Sequence, residues 1–147
     1  MTYPAVIDLL PHRPPMVLLD EVEWFEGASA RCRVEIRPDA PLVEEGRVRA
    51  IVALEHMAQC TGVCTMLRAR QQGRGPMRGY LVGVRDLRLE TDFFDVGDVL
   101  HVEATLTWDG ADIAHFECRV TRAGRQVATA SLSVYRRPVP VDERELP

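Results

Sequence analysis

The spacing of apolar residues along this chain changes period several times, and each change marks an element. Residues 3–10 suit a short helix that Pro11 stops, followed by the restrained turn His12-Arg13-Pro14-Pro15. Residues 16–24 read as a strand. Glu26-Gly27 turns into a second strand over about residues 28–37, where Cys32, Val34 and Ile36 alternate with Arg31, Arg33 and Glu35, the period of a half-buried strand. A loop opens at Asp39-Ala40-Pro41, and residues 48–70 then take helical spacing. Ile51, Leu54, Glu55, Ala58, Gln59 and Gly62 fall on one side, while Val52, Val63 and Leu67 carry the apolar surface round the helix. This predicts a long, largely buried central helix. Arg68 and Arg70 suit the negative end of its dipole, and residues 71–76 stop it.

From residue 80 onward the chain reads as strand and turn. Residues 80–90 form one strand with an irregularity near Arg85-Asp86, because the apolar parity changes between Val82/Val84 and Leu87/Leu89. Val96-Gly97-Asp98 turns into a strand running through Trp108, and Asp109-Gly110 is a hairpin signal. Residues 113–121 return, Ala123-Gly124 turns again, and residues 126–136 complete the meander. Residues 138–147, rich in proline and charge, read as an irregular tail. A short helix, two strands, one long helix and then four strands is the order of an antiparallel sheet wrapped round a single helix. This is an α+β chain of the hotdog architecture, one domain over residues 1–147 with its core at about 5–136. Its remaining apolar surface favours a dimer.

Composition narrows the chemistry. With 147 residues and 46% hydrophobic content, the chain can build one core and is short for two. A formal charge of −4 argues against a nucleic-acid footprint. All 18 basic residues are arginine, which leaves no lysine for Schiff-base chemistry. The start lacks a charged region followed by an apolar one, and no apolar run approaches the length needed to cross a bilayer, so a cytoplasmic protein with no membrane contact is expected. Cys32, Cys60, Cys64 and Cys118 lack metal-ligand spacing and suit reduced core thiols. Asp20-Glu21, Glu44-Glu45 and Asp142-Glu143-Arg144-Glu145 have no histidine or cysteine at ligand spacing, so neither a metal nor a cofactor is expected. His101 and His115 alternate with polar residues and should point outward.

The segment Leu54-Glu55-His56-Met57-Ala58-Gln59 places one carboxylate in the middle of an otherwise apolar, small-residue helix. Burial disfavours an ionised carboxylate and suits it to proton exchange, so Glu55 is a candidate general acid or base. The structural alternative is a glutamate held by a capping or arginine partner.

These residues carry a resemblance. Leu10-Pro11-His12-Arg13-Pro14-Pro15-Met16-Val17-Leu18-Leu19-Asp20 is similar to the N-terminal motif of the 3-hydroxyacyl carrier-protein dehydratases of the hotdog superfamily. The Glu55 segment is similar to their helix motif. Tyr80-Leu81-Val82-Gly83-Val84, Phe94-Asp95-Val96-Gly97-Asp98 and Gly124-Arg125-Gln126-Val127-Ala128 resemble their later segments, in the same order. The resemblance implies a tunnel at a dimer interface, with Glu55 as the carboxylate and Gln59 as its orienter. The family's glycine-histidine-phenylalanine-proline-glycine segment has no counterpart. The shorter stretch Pro41-Leu42-Val43-Glu44-Glu45-Gly46-Arg47-Val48-Arg49-Ala50 puts Arg47 where that histidine would fall. This combination resembles a divergent branch associated with aryl-polyene and related polyketide-like pathways, whose members can work beside another hotdog subunit.

Three arrangements stay open. His12 or His56 supplies a relocated base, Arg47 serves a site that uses Glu55 alone, or the chain binds acyl substrates without dehydrating them. His12 has a structural reading as a turn residue. His56 points about a quarter-turn from Glu55, so the two form no close pair within the helix, and a role across a dimer stays open. The expected reaction is conversion of a 3-hydroxyacyl carrier-protein thioester to its trans-2-enoyl form; an acyl thioesterase and a non-catalytic heterodimer subunit are the rivals. Arg68, Arg70, Arg74 and Arg78 could meet an acidic acyl carrier protein or the phosphate of its pantetheine arm.

Overall fold

The computed structural model describes residues 2–143. Helix α1 (Val6–Leu9) leads into strands β1 (Glu21–Glu26), β2 (Ser29–Glu35) and β3 (Arg47–Arg49). A 3-10 turn, Ala50–Val52, runs into helix α2 (Ala53–Gln71), and strands β4 (Met77–Leu89), β5 (Phe93–Asp95), β6 (Val99–Asp109), β7 (Ile113–Arg122) and β8 (Arg125–Pro138) follow. Six strands form one antiparallel sheet in the order β1-β2-β6-β7-β8-β4, and β3 pairs with β5 apart from it. The sheet wraps α2, the hotdog fold that the element order predicts.

Alternation places the core. On β2, Ala30, Cys32 and Val34 face α2, and on β7 Ala114, Phe116, Cys118 and Val120 do the same. The outward residues between them form a charged ladder: Arg31 pairs with Glu23 at 3.2 Å, and His101 Nδ1 lies 2.5 Å from Glu23. His115 bonds Ser133 Oγ at 2.8 Å on the same outer side. Met57, Cys60, Val63 and Cys64 press α2 into the sheet, and all four cysteines are buried and unbridged. Burial pushes the Cys64 thiol up to about 12, so it packs as an apolar group.

Several features differ from the sequence reading. Residues 16–20 are not strand, because Leu18 N–H donates to the Gln59 side chain at 3.0 Å rather than to a neighbouring strand. α2 starts at Ala53, not residue 48, because residues 47–49 pair with β5 and Ala50 N–H bonds Asp92 O at 2.9 Å. β3 and β5 were not predicted as strands; three residues are too few to show a period. The β4 irregularity is present, with register shifts at Leu81/Gly83 and Arg85/Arg88 and a positive φ of 53° at Asp86. The stretch Ala50–Gln71 also proves long and apolar enough to cross a membrane by length and composition, and the fold uses it as a mostly buried core helix. Of the tail, residues 141–143 form a 3-10 turn, and 144–147 lie outside the described residues.

Candidate active site

The late start of α2 moves Glu55 from mid-helix to the first turn, the end of the dipole that favours negative charge. Its side chain is 39% exposed, so the expected deep burial is absent in the single chain. The segment after α1 folds back over this turn. Arg13 stiffens it by donating to the carbonyls of His12 at 2.8 Å and Leu10 at 3.2 Å. Gly62 lets it approach closely, since a Cβ there would come 2.9 Å from Leu10 Cδ2.

Gln59 ties the segment to the helix. Its buried amide donates to Met16 O at 2.8 Å and Glu55 Oε1 at 2.9 Å, and accepts from Leu18 N–H. Both amide hydrogens and the oxygen are engaged, which sets the amide's orientation. His12 Nε2 lies 3.4 Å from the same Glu55 Oε1, and His12 Nδ1 is buried without a partner among the described residues. Glu55 Oε1 is thus held from two sides. Oε2 has no hydrogen-bond partner among the described residues and is available to a substrate.

Glu55 stands where two clefts meet. A cleft of about 790 Å³ is lined by Met16, Leu18, Ile51, Leu54, Leu81 and Phe93, with Arg47, Arg49, Glu44 and Glu45 as charged residues at its rim. A second, of about 340 Å³, runs between α2 and β4 past His12, Gln59, Gly62, Met66 and Tyr80. Both volumes fall in the range of small-molecule sites, about 300–1,000 Å³. A carboxylate, an imidazole and a fixed amide at such a junction can exchange protons with a bound substrate.

The structure therefore brings Glu55, His12 and Gln59 together and leaves the other candidates apart. His56 turns into the core with its ring centroid 6.5 Å from Phe94, and burial lowers its pKa to about 4. Its side chain is enclosed within its own subunit, so it does not reach across a dimer. Arg47 stacks 3.7 Å from the Phe93 ring centroid at the rim of the first cleft and is not paired with Glu55. Arg68 bonds Gly27 O at 3.1 Å and Asp109 at 3.4 Å, and Arg78 pairs with Glu143 at 3.3 Å. Arg70 and Arg74 are exposed. Sequence reasoning did not single out Ile51, Leu81 or Phe93 as cleft residues; their signal is apolar side chains left at a surface, 50% exposed for Ile51 and 42% for Leu81.

A hotdog fold with one helix carboxylate at a cleft junction defines a hotdog protein with a candidate acid–base site. The chain belongs to the ApeP-like family, described as ApeP dehydratase, whose model matches residues 4–145. It is similar to the 3-hydroxyacyl carrier-protein dehydratase FabZ of Aeromonas hydrophila, at 27% identity over 91% of this chain and 92% of that one. Against the FabZ of Agrobacterium fabrum, identity is 26% over 90% and 88% of the two chains. Among solved structures, the dehydratase heterocomplex ApeI:P from Xenorhabdus doucetiae matches with a TM-score of 0.86 and 27% identity, covering 96% of this chain and 95% of that one. A hypothetical thioesterase with coenzyme A from Streptococcus pneumoniae matches at 0.64 and 13% identity, covering 80% and 85%, a likeness of fold alone.

Proposed function

We propose that this protein dehydrates 3-hydroxyacyl thioesters carried on an acyl carrier protein, giving the trans-2-enoyl thioester and water. The observation that carries this reading is the His12–Glu55–Gln59 chain at the junction of two clefts. Glu55 Oε2 takes the proton alpha to the thioester carbonyl. The carbon–oxygen bond at the beta position breaks, and protonated His12 gives the leaving hydroxyl its proton, releasing water. The proton held on Glu55 Oε2 then returns to His12 through solvent, which restores the carboxylate and the imidazolium and resets the pair. Gln59 is a positioning residue that holds Oε1 so that Oε2 faces the substrate. The similarity to FabZ dehydratases supports the reaction class.

A second reading, in which this chain supplies part of a site shared with another hotdog subunit, is supported by its sheet edges. β1 is short, charged and bulged between Val22 and Trp24, a blunted edge. β4 is thirteen residues long and exposes Tyr80, Leu81, Val82 and Val84. A long apolar edge of this kind suits pairing with a second copy or a related subunit. The ApeI:P heterocomplex is a related arrangement. Exposed Arg70 and Arg74 suit an acidic carrier protein, whereas Arg68 and Arg78 are engaged within the chain.

The test is conversion of a carrier-bound 3-hydroxyacyl thioester by wild-type protein and by Glu55→Gln, alone and with a hotdog partner, with enoyl product and free thiol followed together. Enoyl product from wild type alone, lost in the variant, is expected. Enoyl product only with the partner selects the shared site, and free thiol without enoyl product overturns dehydration in favour of a thioesterase.

A further inference from the structure

The second cleft has a defined far end. It starts at Glu55 and follows α2 to Met66, eleven residues on, a distance of about 16 Å at the helical rise. There Met77, the first residue of β4, closes against Met66, with Met77 N–H donating to Met66 Sδ at 3.3 Å. Met77 and Thr65 also line a small recess on the other side, so they form the wall between the two spaces. The recess is polar. Arg136 bonds Asp109 Oδ1 at 2.6 Å within it, and Arg68 bonds Asp109 Oδ2 at 3.4 Å.

We propose that this cleft holds the acyl tail of the thioester and that Met77, backed by Met66, sets the longest tail it accepts. This rests on the proposed dehydratase reading, which places the reacting carbons at Glu55. An extended apolar tail of about twelve carbons spans the distance along the helix. A longer one meets two barriers, the methionine side chains and then an ion-paired recess where an alkyl end would displace polar contacts. The first cleft, where Arg47, Arg49, Glu44 and Glu45 accompany an apolar lining, is left for the carrier's pantetheine arm, itself part amide and part alkyl. Met77 is the point at which tail length is read, since replacing its side chain leaves its backbone N–H bond to Met66 in place.

The experiment titrates carrier-bound saturated acyl thioesters of graded length against the intact protein by calorimetry, which needs no turnover. Met77→Ala is expected to shift the preferred length upward by two to four carbons and Met77→Phe to shift it downward, each changing the long-to-short affinity ratio about tenfold or more. The same preference in wild type and both folded variants overturns the assignment while leaving acyl binding intact. A preference that moves with Phe93→Ala and not with Met77 also overturns it, by placing the tail in the first cleft. No binding at any length removes the dehydratase reading along with this one.

Discussion

Helix α2 has two faces that differ in almost every physical respect. Met57, Cys60, Val63 and Cys64 are fully enclosed against the sheet, while Leu54, Glu55 and Ala58 border the clefts and keep partial exposure. Glu55 and His56 are adjacent in sequence, yet about 100° of helical rotation sends one to open space and the other into the core. On the core face a titratable group loses its charge, as His56 does. On the open face the carboxylate keeps two polar neighbours and a free oxygen. The chemistry belongs to the face that packing leaves incomplete.

Substitutions on the two faces should therefore fail in different ways. The largest effect is expected for Glu55→Gln, which should lower dehydration at least a hundredfold while leaving the thermal midpoint within a few degrees; a fold that collapses instead would make Glu55 structural. On the other face, Met57→Ala should cost about 3 kcal/mol in urea unfolding, because its side chain is fully buried. A loss below about 1 kcal/mol would show that this face is less tightly packed than its burial implies.

His56 adds a pH dependence of comparable size. Its pKa falls from 6.5 to about 4 on folding, because burial penalises the charged ring. The unfolded chain therefore takes up this proton first as pH falls. The stabilising contribution is complete above the unfolded value and is lost between pH 6.5 and about 4. The decline should reach about 3 kcal/mol, read from unfolding curves across that interval, and His56→Leu should flatten it. Leu54→Ala, on the cleft face and only partly buried, should be the mildest, at about 1 kcal/mol or less. If it matched Met57→Ala, the contrast between the faces would be gone.

Much of this contrast was legible in the chain. The i, i+4 spacing of Glu55 and Gln59 is a local property of a helix, and it reappears as the 2.9 Å bond between their side chains. Strict alternation of Cys32 and Val34 with Arg31 and Arg33 identified a strand, because a half-buried sheet demands that period. His12 stood in a turn with two open roles. Its place beside Glu55 depends on Gln59 clamping Met16 and Leu18, contacts spanning more than forty positions. His56 shows the reverse, since its neighbour in sequence suggested a site and its surroundings made it core.

The amino-acid sequence by itself determined the order of elements, the buried periodicity of the sheet and the carboxylate–amide pair on one helix face, because each follows from geometry repeated over a few residues. Only the tertiary structure decided where α2 begins, which histidine meets Glu55 and how two clefts come to share one carboxylate. Those features depend on long-range backbone pairing, such as β3 with β5, and on packing against groups remote in the chain, which no local period encodes.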